Sequence, residues 1–431
     1  MIENKRLTTI VIAVLLIACV ALVIVINITK DTTYYIKQSA VEIDNSSDIV
    51  ITQGIDGFTG RFPDVIQTDD GLLAAYYWNN IHAPYVIGDS LGVIKLQKGS
   101  KDGATWDSDA VDLIDSGFLI ENGLGIWKGT DEKYYYTQEE AAEHNADLCV
   151  EARDPNFARM GNTLVMTFFT RLPWDSAFDG YTFLQYNENV DYTYGRTYIM
   201  TSDDNGGSWS KPTEVVCNYL DRGSAKRGNI AVIDDSTLLI PLYGYNSSLN
   251  TDFTTSNILA KYENGNWTFN EYSTHTSENV EALGAFELGV TEVSFAVVDQ
   301  EIYAMLRYKG DILVSNDNGK DWSKIECSGR AEGFTLHQPS LQTIPQSKQI
   351  IASWAEPNDI GGRDIFLMLF KPSKDDVWRY SYKYRIYQNE EPGDMADPSS
   401  ILLENNNVLT IYYDSQKEIV ACTITNLVGI R

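Results

Sequence analysis

The chain has 431 residues, a formal net charge of −27 and abundant tyrosine, tryptophan and phenylalanine, with a pI of about 4.4. This balance excludes a general binder of nucleic acid or of anionic membranes, since both need basic surfaces. It leaves room for a small acidic ligand, because a few converging arginines override a distant, screened surface charge.

Residues 1–6 read as a short cytoplasmic tail. Leu7 to Ile28 form an almost uninterrupted apolar run, long enough to cross a bilayer core of about 30 Å as a transmembrane signal anchor. Lys5 and Arg6 precede it, while Lys30 and Asp31 nearly cancel after it, so the positive-inside rule puts the remainder outside. A cleaved signal has a shorter apolar region, normally about 7–15 residues. Leu16-Ile17-Ala18-Cys19 looks like a lipoprotein box, although the run continues well beyond Cys19. All three readings place the rest of the chain outside the cytoplasm, and the anchor reading makes it a single-pass cell-membrane protein. Residues 29–48 read as a stalk.

Residues 49–431 read as one all-β domain. Short apolar stretches alternate with clusters of Asn, Asp, Ser and Gly, and only Gln138–His144 has a helical character. Outside the apolar run, Cys149, Cys217, Cys327 and Cys422 are widely spaced and form no C-x-x-C pair. That argues against zinc and leaves disulfides or buried thiols open. No metal triad, phosphate loop or Ser-His-Asp order is present, and the four histidines are scattered. No cofactor or metal is therefore expected.

An internal repeat decides the fold class. Ser100-Lys101-Asp102-Gly103-Ala104-Thr105-Trp106, Ser202-Asp203-Asp204-Asn205-Gly206-Gly207-Ser208-Trp209 and Ser315-Asn316-Asp317-Asn318-Gly319-Lys320-Asp321-Trp322 match one another, each after a short β-type run. The central Asn, Asp and Gly supply positive-φ residues for a tight hairpin turn, and the tryptophan packs beneath it. Glu263-Asn264-Gly265-Asn266-Trp267 and Asp375-Asp376-Val377-Trp378 are degenerate copies. Tryptophans at 106, 209, 267, 322 and 378 mark units of about 55 residues, and the double step from 106 to 209 implies a further unit near residue 155. Six units of this size, each long enough for four strands, predict a six-bladed β-propeller.

The S-x-D-x-G-x-T-W pattern resembles the Asp box of the sialidase (neuraminidase) superfamily, and the resemblance spans about residues 50–420. Asp boxes fold hairpins on the outer rim and do no chemistry, so they bear on fold more than on function. The resemblance implies an exo-acting glycoside hydrolase that releases sialic acid or a related acidic sugar from extracellular glycans. Three arginines would hold the sugar carboxylate, because a guanidinium stays charged and presents a planar fork that binds it bidentately. Gly60-Arg61-Phe62-Pro63 matches the family's first arginine segment. Thr291-Glu292-Val293 and Met305-Leu306-Arg307 bracket a hairpin that brings Glu292 and Arg307 side by side. His337-Gln338-Pro339-Ser340, a strand and then Arg363 follow the order of the third arginine. Asp89, in Gly88-Asp89-Ser90 ahead of the first box, matches the acid/base residue.

The match breaks at the nucleophile. Where the family has a tyrosine, Ala396-Asp397-Pro398-Ser399-Ser400 places Asp397. An anionic nucleophile is repelled by a carboxylate on the anomeric carbon, and Asp397 beside Glu292 predicts a carboxylate pair, one member of which stays protonated. Four readings stay open: Asp397 acting directly on a sugar whose carboxylate lies elsewhere, such as a uronic acid; Asp397 or Glu292 activating water; another tyrosine, among Tyr380, Tyr382, Tyr384, Tyr387 and Tyr243, taking over; or a site that binds glycans without cleaving them. Arg153-Asp154-Pro155 opens a unit from which family members contact substrate, or forms a structural pair. Trp78, His82 and Tyr85 either line a sugar-stacking face or pack.

Overall fold

In a computed structural model, residues 41–42, 48–81, 90–131, 133–172, 195–221, 224–246, 248, 253–276, 290–325, 335–371, 381–393 and 395–426 are described. The apolar run 7–28 lies outside them, as do Asp89, His82, Tyr85, Cys327, Tyr380 and the degenerate repeat 375–378. No helix among the described residues is long and apolar enough to cross a membrane.

Six antiparallel sheets dominate these residues. The first strand of each is Thr59–Gln67, Glu151–Met160, the broken pair Ser224–Lys226 and Ala231–Asp234, Ser294–Val298, His337–Ile344 and Met395–Leu402. Each first strand touches the next, and the last touches the first. The sheets thus form a closed ring of blades, consistent with a six-bladed β-propeller. The last blade is completed by the N-terminal strand Ile49–Gln53, which pairs with Ile419–Asn426. Val41–Glu42, within the segment read as a stalk, pairs in parallel with Tyr384 and Arg385 at the edge of blade five.

Apolar layers fill the spaces between blades. Leu73, Ile94 and Leu96 of blade one face Phe157, Met166 and Phe168 of blade two. Leu72 and Tyr76 of blade one meet Leu409, Ile411 and Tyr413 of blade six on the other side. Each such Leu, Ile or Phe stabilises the ring by about 1.5–3 kcal/mol when fully buried. Cys149, Cys217 and Cys422 are free thiols.

The three strong repeats fold alike, between the third and fourth strands of blades one, two and four. In the second, the Ser202 hydroxyl donates to Asp204 Oδ1 at 2.8 Å and accepts from Gly206 N at 2.9 Å, while Ser208 N donates to Asp204 Oδ1 at 2.8 Å. The third repeats this with Ser315, Asp317, Gly319 and Asp321. Asn205, Gly206, Asn318 and Gly319 have positive φ, as the turn chemistry demands. Trp209 stacks on Phe157, 6.3 Å between ring centroids, and Trp322 on Phe295, 5.6 Å.

The expected extra unit near residue 155 does not exist as such. Residues 151–171 begin the blade that Trp209 marks, and the long step from Trp106 comes from an insertion after blade one. That insertion carries two short helices, Ser116–Glu121 and Gln138–Glu143, and a small sheet of Trp127–Lys128, Tyr134–Tyr135 and Asp147–Leu148. The blade without a tryptophan turn is the sixth, whose outer strand is borrowed from the N-terminal side.

One backbone device recurs at the same end of every blade. Phe62, Asp154, Gln338 and Asp397 have φ of 54°, 49°, 47° and 41°, and each precedes a proline. The ladder slips by one residue at each: Arg61 pairs with Tyr77 and Asp64 with Ala75, and the same step occurs between Arg153 and Asn156, His337 and Ser340, and Ala396 and Ser399. These are β-bulges, and proline suits the unpaired position because it has no N–H to leave unsatisfied. Glu292 (φ 50°) and Gly228 (φ 92°) complete the set in blades four and three. Just beyond the bulges runs a belt of polar contacts. Asn229 N and Leu341 N donate to the Ser294 hydroxyl at 3.0 and 3.1 Å, and Ser399 donates to Asp64, joining blade six to blade one.

Gly228 is the bulge that admits no side chain. A Cβ there would lie 2.4 Å from the Val293 carbonyl oxygen. Gly228→Ala is expected to destabilise the fold by more than the backbone cost of about 1–2 kcal/mol for a left-handed residue, measured as a lower urea midpoint.

Candidate functional site

The six positive-φ positions place Phe62, Asp154, Gly228, Glu292, Gln338 and Asp397 at one end of the ring. Five of these, without Glu292, line one axial cavity together with Arg227. Non-glycine residues held at positive φ are costly and cluster where function over-determines the backbone. Three of the five non-glycine members here are acidic.

Arg227, which precedes Gly228, organises these acids. Its Nη1 donates to Asp154 Oδ2 at 3.0 Å, and its Nη2 lies 2.5 Å from Asp397 Oδ2. Its guanidinium sits 4.7 Å from the Phe62 ring centroid, as does that of Arg153, which also lies 4.9 Å from Tyr77. Burial works against the Arg227 charge, yet Asp397, Asp154 and Glu292 hold its pKa above the ordinary arginine value. The expected carboxylate pair of Asp397 and Glu292 is therefore not met in its simple form. Arg227 pairs with Asp397 and is attracted electrostatically to Glu292 as well.

Glu292 and Arg307 stand side by side, as the hairpin predicts: Arg307 Nη1 donates to Glu292 Oε1 at 2.6 Å. Glu292 Oε2 is buried and has no hydrogen-bond partner among the described residues. Arg307 Nη2 lies 2.9 Å from His337 Nδ1, and its guanidinium lies 4.7 Å from the Tyr308 ring. Tyr243, on the second strand of blade three, completes this group. Burial pushes its pKa well above the ordinary tyrosine value, Glu292 and Asp154 push it further, and Arg227 and Arg307 pull the other way. The phenol is thus held neutral within electrostatic reach of Glu292.

A second buried network runs from Arg61 toward blade two. Arg61 Nη1 donates to the Asn79 carbonyl at 3.1 Å. Asn79 Nδ2 reaches the Tyr77 hydroxyl and the Ser90 carbonyl, both at 2.8 Å. Glu151 Oε2 accepts from the Tyr77 hydroxyl at 2.7 Å and from Gly92 N at 2.9 Å. Burial raises the Glu151 pKa, with Arg153 opposing. The chain immediately after Asp89 is anchored at Ser90 and Gly92 by these contacts.

Of the residues singled out from sequence, Arg153, Glu292, Arg307 and Asp397 come together around Arg227. Arg61 borders the group through Asn79. Arg363 opens the third strand of blade five, opposite Pro357, at the same end as His337 but farther from the axis. Tyr384 packs in the layer between blades five and six, and the Tyr387 hydroxyl donates to Asp414 Oδ2 at 2.6 Å. Tyr382 is half-buried at that layer's margin, so among the described candidates Tyr243 is the tyrosine within electrostatic reach of Glu292. Trp78 lies 6.3 Å from Tyr76 and 5.5 Å from Lys95 Nζ, a packing role. Arg227 and Glu151 were not singled out. Arg227-Gly228 lacks the proline that marks four of the bulges, and Glu151 sits in no repeat.

No family model matches the sequence, and no curated protein matches it. Solved structures do match. A protein of unknown function from Dyadobacter fermentans aligns at a TM-score of 0.62 with 18% identity, over 90% of this chain and 99% of that one. A K499G mutant of the NanB sialidase from Streptococcus pneumoniae aligns at 0.55 with 14% identity, over 90% and 71%. The fold is sialidase-like. The intramolecular trans-sialidase from Ruminococcus gnavus, solved with oseltamivir carboxylate, aligns at 0.54 with 13% identity, over 90% and 99%. At these identities the likeness is one of fold, and the chemistry rests on the residues above.

Next to Arg227 in the first strand of blade three, Lys226 is fully buried, donating to Asn156 Oδ1 at 2.8 Å and to the Gly228 carbonyl. Burial pulls its pKa down to about 7, with Asp64 opposing. The unfolded chain keeps the proton up to about pH 10.4. Between these values the unfolded state binds more protons, so the Lys226 contribution to stability rises with pH from about 7 toward 10. Lys226→Met is expected to flatten that rise, read from urea midpoints at about pH 7 and about pH 9.5 in both proteins.

Proposed function

We propose that the protein is an exo-acting glycoside hydrolase that releases terminal sialic acid or a related acidic sugar from extracellular glycans. The observation that carries this reading is the Glu292 carboxylate, with one oxygen tied to Arg307 and the other unpartnered within electrostatic reach of neutral Tyr243. The sialidase-like fold supports it.

In this reading the sugar carboxylate docks against Arg307, with Arg61 and Arg363 as the other members of the arginine triad and Arg153 flanking. Tyr243 attacks the anomeric carbon as a neutral nucleophile, so the sugar carboxylate does not repel it. Glu292 Oε2 takes the phenolic proton, with Arg307 paired to the other oxygen of the same carboxylate. Asp89 protonates the leaving oxygen and then activates water. The apolar run 7–28 anchors the ring outside the cell membrane, supported by its length and by Lys5 and Arg6 before it.

A second reading makes Asp397 the catalytic carboxylate on a uronic or neutral sugar. Its on-axis position and positive φ favour it, and its contact with Arg227, which engages the same carboxylate, weighs against it.

The test is turnover of a panel of fluorogenic sialosides, uronides and neutral glycosides by the full chain and its variants. Tyr243→Phe is expected to lower sialoside turnover by at least about a thousandfold, and Glu292→Gln by about 10²–10⁴-fold. Asp397→Asn should leave measurable turnover. Turnover confined to uronides or neutral glycosides and lost in Asp397→Asn would establish the second reading. Binding of glycans without release of any sugar would make the protein a non-catalytic glycan-binding propeller.

A further inference from the structure

The position just before each bulge carries Arg61, Arg153 and Arg227 in blades one to three, then Thr291, His337 and Ala396 in blades four to six. Blade five therefore departs from the arginine pattern at the place where its first strand meets Arg307. Arg307 is a donor only, so the contact of its Nη2 with His337 Nδ1 at 2.9 Å requires a lone pair on that nitrogen. His337 is thereby fixed as the neutral ring with its proton on Nε2.

Other contacts hold the two residues in register. Tyr308 N donates to the Leu336 carbonyl at 2.9 Å, and Leu336 N returns the bond at 2.8 Å. The Tyr308 ring lies 5.9 Å from His337 at a steep angle, and 4.7 Å from the Arg307 guanidinium. The guanidinium is thus gripped by Glu292 on one side, by His337 on another and by an aromatic ring on a third. An arginine at 337, the residue type of the first three blades, would repel Arg307 instead.

We infer that His337 is a positioning residue that aims Arg307 at an acidic substrate group, and so sets the preference for acidic over neutral sugars. This rests on the acidic-sugar reading of the same site. A second-blade acceptor matters because Glu292 alone leaves the guanidinium free to swing about one contact, and bidentate recognition of a carboxylate needs a fixed plane.

The experiment measures binding by calorimetry, with the full chain in detergent, of the methyl glycoside of N-acetylneuraminic acid and of its methyl ester. The native protein is expected to favour the acid over the ester by about tenfold or more, the value of a hydrogen bond to a charged group. His337→Ala should lose most of that ratio while ester binding stays close to native. His337→Gln, whose amide oxygen can accept from Arg307, should restore most of it. A ratio unchanged in His337→Ala, an equal loss for both ligands, or a glutamine variant no better than alanine would overturn the inference alone. No preference for the acid in the native protein would overturn the acidic-sugar reading and the inference with it.

Discussion

The Arg227 guanidinium is gripped from two sides, by Asp154 of blade two and by Asp397 of blade six. Blade three thereby holds a blade that is not its neighbour, across the axis of the ring. A buried ion pair is a weak source of stability, since desolvating the charges costs about as much as their attraction returns. Removing Arg227 would leave two acids buried without their counter-charge, whereas removing either acid leaves Arg227 paired with the other. The left-handed backbone at Asp154 and Asp397 turns both acids inward, and Arg227 reaches both from the position before Gly228. The site is in this sense a property of the closed ring, and no single blade contains it.

That closure also explains which features were readable in the sequence. The tryptophan turns depend on local chemistry, Ser and Asp side chains capping a tight turn, so Ser202–Trp209 and Ser315–Trp322 announce themselves without reference to the rest. Their spacing yields six units, but an insertion between blades one and two mimics the length of a missing repeat and shifts the unmarked blade to the wrong place. The Glu292–Arg307 pair is legible because one hairpin joins its members. Arg227 is not, since its partners lie 73 residues earlier, at Asp154, and far along the chain at Asp397. Four bulges share a proline in their sequence, and the remaining two, at Gly228 and Glu292, share only the backbone angle.

The placement of acids relative to arginines bears on the choice of nucleophile. A carboxylate locked against a guanidinium is stabilised as an anion and loses nucleophilicity in proportion. A phenol beside an unpartnered carboxylate oxygen has the opposite standing: neutral at rest and able to give up its proton to a nearby base. Asp397 pairs with Arg227 while neutral Tyr243 lies within electrostatic reach of Glu292, and the role proposed for Tyr243 rests on that contrast.

The short parallel strand Val41–Glu42 runs in the same direction as Lys383–Tyr387, which climbs from the far end of blade five toward the end that carries the candidate site. The strand therefore enters the edge of blade five from the end away from the candidate site. Residues 41–53 thus edge two consecutive blades, so loss of this short stretch would strip backbone partners from both Tyr384–Arg385 and Ile419–Cys422.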